Sequence, residues 1–132
     1  MTAPSSPPTV PRLEEKCFLV ICRDASSGNA AALRRDHLEG HLAHVEAHWQ
    51  RYVTAGPIRN PGEEALSGSV FLVLAKDKAD AEALMAGDPY VSSGLYGSMD
   101  VFEFTNSIGR FMGGKIWQDA ASIAHRAAGG PT

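Results

Sequence analysis

The apolar positions fall into runs that alternate between strand-like and helix-like spacing. Cys17-Phe18-Leu19-Val20-Ile21-Cys22 is six apolar residues in a row, the pattern of a strand covered on both faces. Arg23 and Asp24 close it, and Ser26-Ser27-Gly28-Asn29 make a loop. From Ala30 to about Trp49 the spacing turns helical, with strong helix formers from Ala30 to Leu33. Gly40 weakens the middle and is a candidate junction between two shorter helices. Arg51 to Ala55 reads as a strand ended by Gly56-Pro57, and Asn60-Pro61-Gly62 marks a turn in the loop Arg59 to Leu66. Ser67 to Ala75 is another apolar strand, and Asp77 stands as N-cap before a helix from Ala79 to Met85. Met99 to Phe104 alternates as a last strand.

The order β-α-β-β-α-β predicts an α+β fold: a ferredoxin-like antiparallel sheet with helices on one face. Such a sheet leaves its other face bare. About 90 structured residues make a small core, so a homodimer with the sheets face to face is the economical arrangement. Three regions are expected. Residues 1–14, rich in Pro, Ser and Thr, form a disordered tail, and 15–106 form the domain. Residues 107–132 form a C-terminal helical extension. In it Ile108, Phe111, Met112, Ile116 and Trp117 are spaced as a helical stripe that Gly113-Gly114 interrupt. Its better helix runs from Trp117 to Ala128 and ends at Gly129-Gly130-Pro131.

Composition narrows the function classes. The 132 residues are 44% hydrophobic and 20% charged, with a net charge of -3. No basic cluster goes beyond Arg34-Arg35, which argues against a nucleic-acid partner. No apolar run approaches bilayer length, and the N-terminus has no apolar signal core, so a cytoplasmic protein without a membrane partner is expected. Cys17 and Cys22 on one extended strand would sit about 16 Å apart on opposite faces, too far for a disulfide. They are expected as reduced, buried thiols, with a nucleophilic cysteine as the minor alternative.

The chemistry concentrates in Gly87-Asp88-Pro89-Tyr90-Val91-Ser92-Ser93-Gly94-Leu95-Tyr96 and in the histidines. Proline disfavours the α region for the residue before it, so Asp88 should stop the preceding helix and aim its carboxylate elsewhere. The bland alternative is an Asx cap. His37, His41, His44 and His48 lie within roughly 60° of each other on one helix face. A metal reading follows from imidazoles one turn apart. Against it, no carboxylate or cysteine at ligand spacing joins them, and a straight helix brings only neighbouring pairs to one ion. A single histidine oriented by a carboxylate is the alternative, as a general acid or base. No Gly-x-Ser-x-Gly elbow, phosphate loop or dinucleotide fingerprint is present, which favours chemistry without a cofactor.

Several of these blocks resemble the YciI (YCII-related) family of dimeric α+β barrel proteins. Phe18-Leu19-Val20-Ile21-Cys22-Arg23-Asp24 is similar to the family's first strand. His41-Leu42-Ala43-His44-Val45, then Ala55-Gly56-Pro57, is similar to its His-Leu-Ala-Tyr-Leu and Ala-Gly-Pro blocks. Gly68-Ser69 and Asp88-Pro89-Tyr90-Val91 with Gly94-Leu95 complete the resemblance over about residues 17–106. It implies the ferredoxin-like fold, a homodimer, and a His-Asp dyad carried over onto His41 and Asp88, with His37 as competitor. Leu38 stands where the family has arginine, and His44 replaces its tyrosine. Arg34, Ser69 and Tyr90 are the implied substrate contacts, with Gly94 letting the backbone close over the site. The implied function is a cofactor-free lyase or isomerase acting on a small polar or cyclic molecule, dehydrochlorinase-like elimination being one variant. The rivals are a non-catalytic small-ligand-binding or accessory protein, and a metal protein using the stripe His37/His41/His44/His48.

Overall fold

The structure, a computed structural model, describes residues 6–127. The chain forms two compact units, Glu15–Phe104 and the two flanking stretches together. In the larger unit the elements are β1 (Lys16–Asp24), α1 (Ala30–Ala47), a 3-10 turn (Trp49–Arg51), β2 (Tyr52–Ile58), β3 (Gly68–Ala75), α2 (Lys78–Ala86), α3 (Pro89–Ser92) and β4 (Tyr96–Phe104). The four strands order as β2-β3-β1-β4, and every neighbouring pair is antiparallel. This is the ferredoxin-like arrangement.

The apolar run Cys17–Cys22 makes up the middle of β1, which lies between β3 and β4. Its alternate residues Phe18, Val20 and Cys22 meet Phe71, Val73 and Ala75 of β3 and Ala81, Leu84 and Met85 of α2 in one buried cluster. Leu19 and Ile21 point the other way, paired in register with Leu72 and Val70. On that second face Leu19 also pairs with Phe102, which is 54% exposed.

Three elements depart from the sequence expectation, each for a tertiary reason. Gly40 does not divide α1, which runs unbroken over Ala30–Ala47. The missing side chain serves packing instead: a Cβ there would lie 3.0 Å from Cγ of Pro89, a tight contact that glycine avoids where α1 meets α3. Gly56-Pro57 does not end β2, because β2 is an edge strand and can carry a proline that donates nothing. β4 begins at Tyr96, three residues before the alternation becomes visible. Gly97 lies there against Ala25, where a Cβ would come within 3.0 Å of its Cα.

In the other unit β5 (Ile108–Gly109) pairs with β6 (Gly114–Lys115) around Gly113, which has φ +83°. This hairpin replaces the helical stripe that the apolar spacing predicts. Pro8–Val10, in a stretch whose composition predicts no fixed structure, run beside Lys115. The Lys115 N–H donates to Pro8 O at 2.9 Å and the Val10 N–H to Lys115 O at 2.7 Å. α4 covers Ala120–Ala127, starting later than Trp117 because Asp119 caps it, accepting the Ser122 N–H at 3.0 Å. The expected terminator Gly129-Gly130-Pro131 lies outside the described residues.

Candidate active site

Asp88 takes its position from the proline behind it. With φ -86° and ψ 122° it leaves the helical region at the end of α2 and becomes the N-cap of α3, with Pro89 in the first turn. Its Oδ1 accepts the Tyr90 N–H at 2.9 Å. Its side chain is fully buried.

The close approach of α1 to Pro89 at Gly40 places the next residue, His41, against this carboxylate. His41 Nδ1 lies 2.9 Å from Oδ1 and 2.8 Å from Oδ2 of Asp88. A carboxylate facing Nδ1 only accepts, so Nδ1 is the donor of this contact, and in a neutral imidazole that leaves the lone pair on Nε2. The imidazole also stacks on the Tyr90 ring, centroids 3.9 Å apart and planes 2° from parallel. The Tyr90 hydroxyl is tied down in turn, donating to Arg34 O at 3.1 Å. His41 is therefore held by a hydrogen bond in the ring plane and by an aromatic face, while its side chain remains 15% exposed.

His41 opens onto a cleft of about 380 Å³. Val45, Glu46 and Trp49 line it from α1 and the turn after it. Tyr52, Ala55, Gly56 and Pro57 line it from β2, and Ser69 and Phe71 from β3. Ser69 Oγ accepts the Tyr96 hydroxyl at 2.9 Å. Burial, and after it the negative charge of Asp88, pushes the Tyr52 phenol up to about 12. Burial raises the Tyr96 phenol as well. Both hydroxyls thus stay protonated at neutral pH and act as neutral groups.

The remaining expected residues lie as follows. Arg34 donates to both oxygens of Asp24 at 2.7 Å, and neither Arg34 nor Gly94 lines the cleft. Gly94 follows α3 with φ +84°, a conformation that L side chains rarely adopt. Tyr90 reaches the site through its ring. The histidine stripe is dispersed: His44 Nε2 lies 2.9 Å from the Leu84 carbonyl oxygen, and its ring is tilted 53° to that of His48. Among the described residues no group of three or more His, Cys, Asp or Glu is placed to hold a metal ion. Cys17 and Cys22 are both buried. Burial first, then Asp88 and Asp100, pushes Cys22 up to about 12, which argues against Cys22 as a nucleophile.

Glu46, Trp49, Tyr52, Phe71 and Tyr96 are site residues that the sequence reading missed. Val45, Glu46 and Trp49 follow His41 by four, five and eight positions, one helix face, so the spacing held that signal. Tyr52 and Phe71 come to the site through strand pairing, and Tyr96 through its hydrogen bond to Ser69.

The model of the YCII-related domain matches residues 17–105. No curated protein matches the chain. Among solved structures, the chain is similar to the 5-chloro-2-hydroxyhydroquinone dehydrochlorinase of Burkholderia phenoliruptrix AC1100, in complex with 2,5-dihydroxybenzoquinone. The identity is 22%, the TM-score 0.61, and the match covers 71% of this chain and 96% of that one. A second similar structure is PA3566 from Pseudomonas aeruginosa, with 14% identity, a TM-score of 0.43, and coverage of 70% and 95%. No described helix is long and apolar enough to cross a membrane.

Proposed function

The chain belongs to the YCII-related family, and on that premise we propose that it is a small acid–base enzyme working without a cofactor. His41 is the base or acid and Asp88 its orienting partner. One observation carries this reading: a fully buried carboxylate holds Nδ1 of a cleft-lining imidazole through both oxygens, leaving Nε2 free. Nε2 takes a proton from an acidified C–H or O–H of the substrate, and Asp88 stabilises the imidazolium that forms. Return of the proton at another carbon gives isomerisation. Departure of an anion from a saturated carbon gives elimination: the electron pair of the removed proton feeds the new double bond, and the leaving group takes the electrons of its own bond. That pair comes directly from a C–H or, in the keto tautomer of a ring phenol, from an O–H through the adjoining ring double bond. The substrate is a small cyclic molecule, consistent with a 380 Å³ cleft walled by Trp49, Tyr52 and Phe71.

The dehydrochlorinase relative supplies the first compound to try. Chloride release from 5-chloro-2-hydroxyhydroquinone, and deuterium exchange into a panel of cyclic ketones and phenols in D₂O, are measured for wild type and His41→Ala. A dyad of this kind contributes roughly 10²- to 10⁴-fold in rate. Loss of exchange and elimination in His41→Ala with the fold intact is expected; full activity in that variant ends the proposal.

The same reading includes a homodimer through the apolar second face of the sheet, where Phe102 stands 54% exposed. Sedimentation should then give twice the 14.1 kDa chain mass. The buried, protonated Cys22 thiol fits a reducing compartment, and on this reading the protein is cytoplasmic. One observation favours binding without chemistry as the second reading: no Arg or Lys lines the cleft to assist a reacting anion. That reading predicts a ligand-dependent rise in Tm with no product from any bound compound.

A further inference from the structure

Two cleft-lining residues, Tyr52 and Ser69, each carry a hydroxyl hydrogen with no acceptor among the described residues, and that of Ser69 belongs to a hydrogen-bonded pair. Ser69 is only 5% exposed, yet it lines the cleft. Its Oγ accepts the single hydrogen of Tyr96 at 2.9 Å. A hydroxyl has one hydrogen to donate and two lone pairs to accept with. Tyr96 does not line the cleft, and burial keeps its phenol protonated, so its hydrogen is spent on Ser69. The hydrogen of Ser69 finds no partner among the described residues, and the open side of that residue is the cleft. Among the described residues no Arg or Lys lines the cleft to compete for the role, and Arg34 is engaged by Asp24 and Arg51 by Asp80. The one formally charged lining residue besides His41 is Glu46, an anion.

We propose that Tyr96 and Ser69 form a two-hydroxyl relay that donates a hydrogen bond to an oxygen of the substrate, so that the site takes uncharged ring compounds bearing a carbonyl or hydroxyl oxygen. The proposal rests on the acid–base reading of His41 and names the group that works with it. When Nε2 removes a proton from the carbon beside a carbonyl, the C–H pair forms the new double bond and the carbonyl π pair moves onto oxygen. The Ser69 O–H meets that oxygen as its charge grows. The hydrogen bond from Tyr96 strengthens Ser69 as a donor, because hydrogen bonds in a chain polarise one another. Tyr96 is thus a positioning residue acting through Ser69. Its ring also meets Tyr90 edge-on at 6.4 Å, and Tyr90 stacks on His41, which couples the two halves of the site.

The test is a double-mutant cycle of Ser69→Ala and Tyr96→Phe. It is read on hydroquinone affinity by calorimetry and on chloride release from 5-chloro-2-hydroxyhydroquinone. Ser69→Ala should weaken hydroquinone about 5-fold and slow elimination about 10²-fold. Tyr96→Phe should cost about 3-fold in affinity and nothing further once Ser69 is gone. An equal cost of Tyr96→Phe in the Ser69→Ala background would mean that the ring acts by packing, and the relay is overturned. Should Tyr96→Phe fail to fold, Ser69→Thr takes its place and should restore what Ser69→Ala loses; no restoration counts against the relay. 4-Hydroxybenzoate binding as tightly as hydroquinone overturns the substrate class. Wild-type behaviour in Ser69→Ala with an inactive His41→Ala sinks this inference alone. An active His41→Ala, or no hydroquinone binding to wild type, sinks the acid–base reading with it.

Discussion

Replacing Asp88 by Asn tests the site at the level of a single proton. The carboxylate does two things at once: Oδ1 accepts the Tyr90 N–H at 2.9 Å, and both oxygens face His41 Nδ1 at 2.8 and 2.9 Å. In Asp88→Asn the amide oxygen stays on the Tyr90 N–H, since the amide nitrogen there would oppose one donor with another. That orientation turns the NH₂ group toward Nδ1 in place of an acceptor. The imidazole then shifts its proton to Nε2 so that Nδ1 can accept, and the nitrogen facing the cleft loses its lone pair. The cap survives, and the buried carboxylate with its desolvation cost is gone, so the stability loss should stay within about 2 kcal/mol. Turnover should fall by about 10²- to 10⁴-fold, the range expected when a catalytic histidine sits in the wrong tautomer. Asp88→Ala is the contrast: it deletes the cap and leaves two donors unpaired, at a cost of about 2–4 kcal/mol. The assay is ¹⁵N NMR of the His41 ring, which needs no substrate. Wild type should show Nδ1 protonated and Asp88→Asn should show Nε2 protonated. An unchanged tautomer in Asp88→Asn, with undiminished turnover, refutes the reasoning.

Other consequences are read on stability and reactivity. Gly68→Ala would set a Cβ 2.1 Å from the Cys22 carbonyl oxygen and wedge β1 from β3. It should lower stability in urea by more than about 2 kcal/mol, whereas Gly56→Ala, with nothing within 4 Å, should stay within about 0.5 kcal/mol. Cys22, raised from 9.0 to about 12, is protonated in the fold. The stability this contributes is intact below pH 9 and is lost as pH rises from 9 toward 12, because the unfolded chain ionises first. In a Cys17→Ala background the Cys22 thiol should therefore ignore a disulfide reagent at pH ~8 and react only on unfolding; rapid reaction of the folded protein would contradict it. Asp80 is held below its ordinary value of 3.8 by the Lys76 N–H first and Arg51 after it. Its contribution is present above that pH and lost as pH falls, so a Tm gap between wild type and Asp80→Asn at pH 7 should close near pH ~2.

What the residue pattern carried, and what it did not, follows from the range of each interaction. The strands β1 and β3 are legible from their apolar runs Cys17–Cys22 and Val70–Ala75, and Asp77 because its cap reaches only to Asp80, three residues on. Asp88 was open between cap and dyad partner. In the structure it is the cap of α3 and also the neighbour of His41, and no local rule anticipates one carboxylate in both places. Gly40 was misleading for the same reason. Its cause is Pro89, a partner far along the chain. Pro57 looked like a strand end because nothing local tells an edge strand from a central one. Tyr96 was invisible as a site residue, since its importance is one hydrogen bond to Ser69, 27 positions away.

The four-residue helix α3 has a consequence for how the site is switched on. Its first turn exists only while Asp88 caps it, and the same turn supplies the carboxylate and the ring that hold His41. Four residues cannot sustain a helix on their own. Winding this turn and setting the His41 proton in place are therefore one cooperative event. Whatever stabilises either one stabilises the other by the same free energy, so a ligand gripped by His41 should slow hydrogen exchange at the Tyr90, Val91 and Ser92 amides without touching them. The order of the candidate site becomes a local folding equilibrium, set by a segment one turn long.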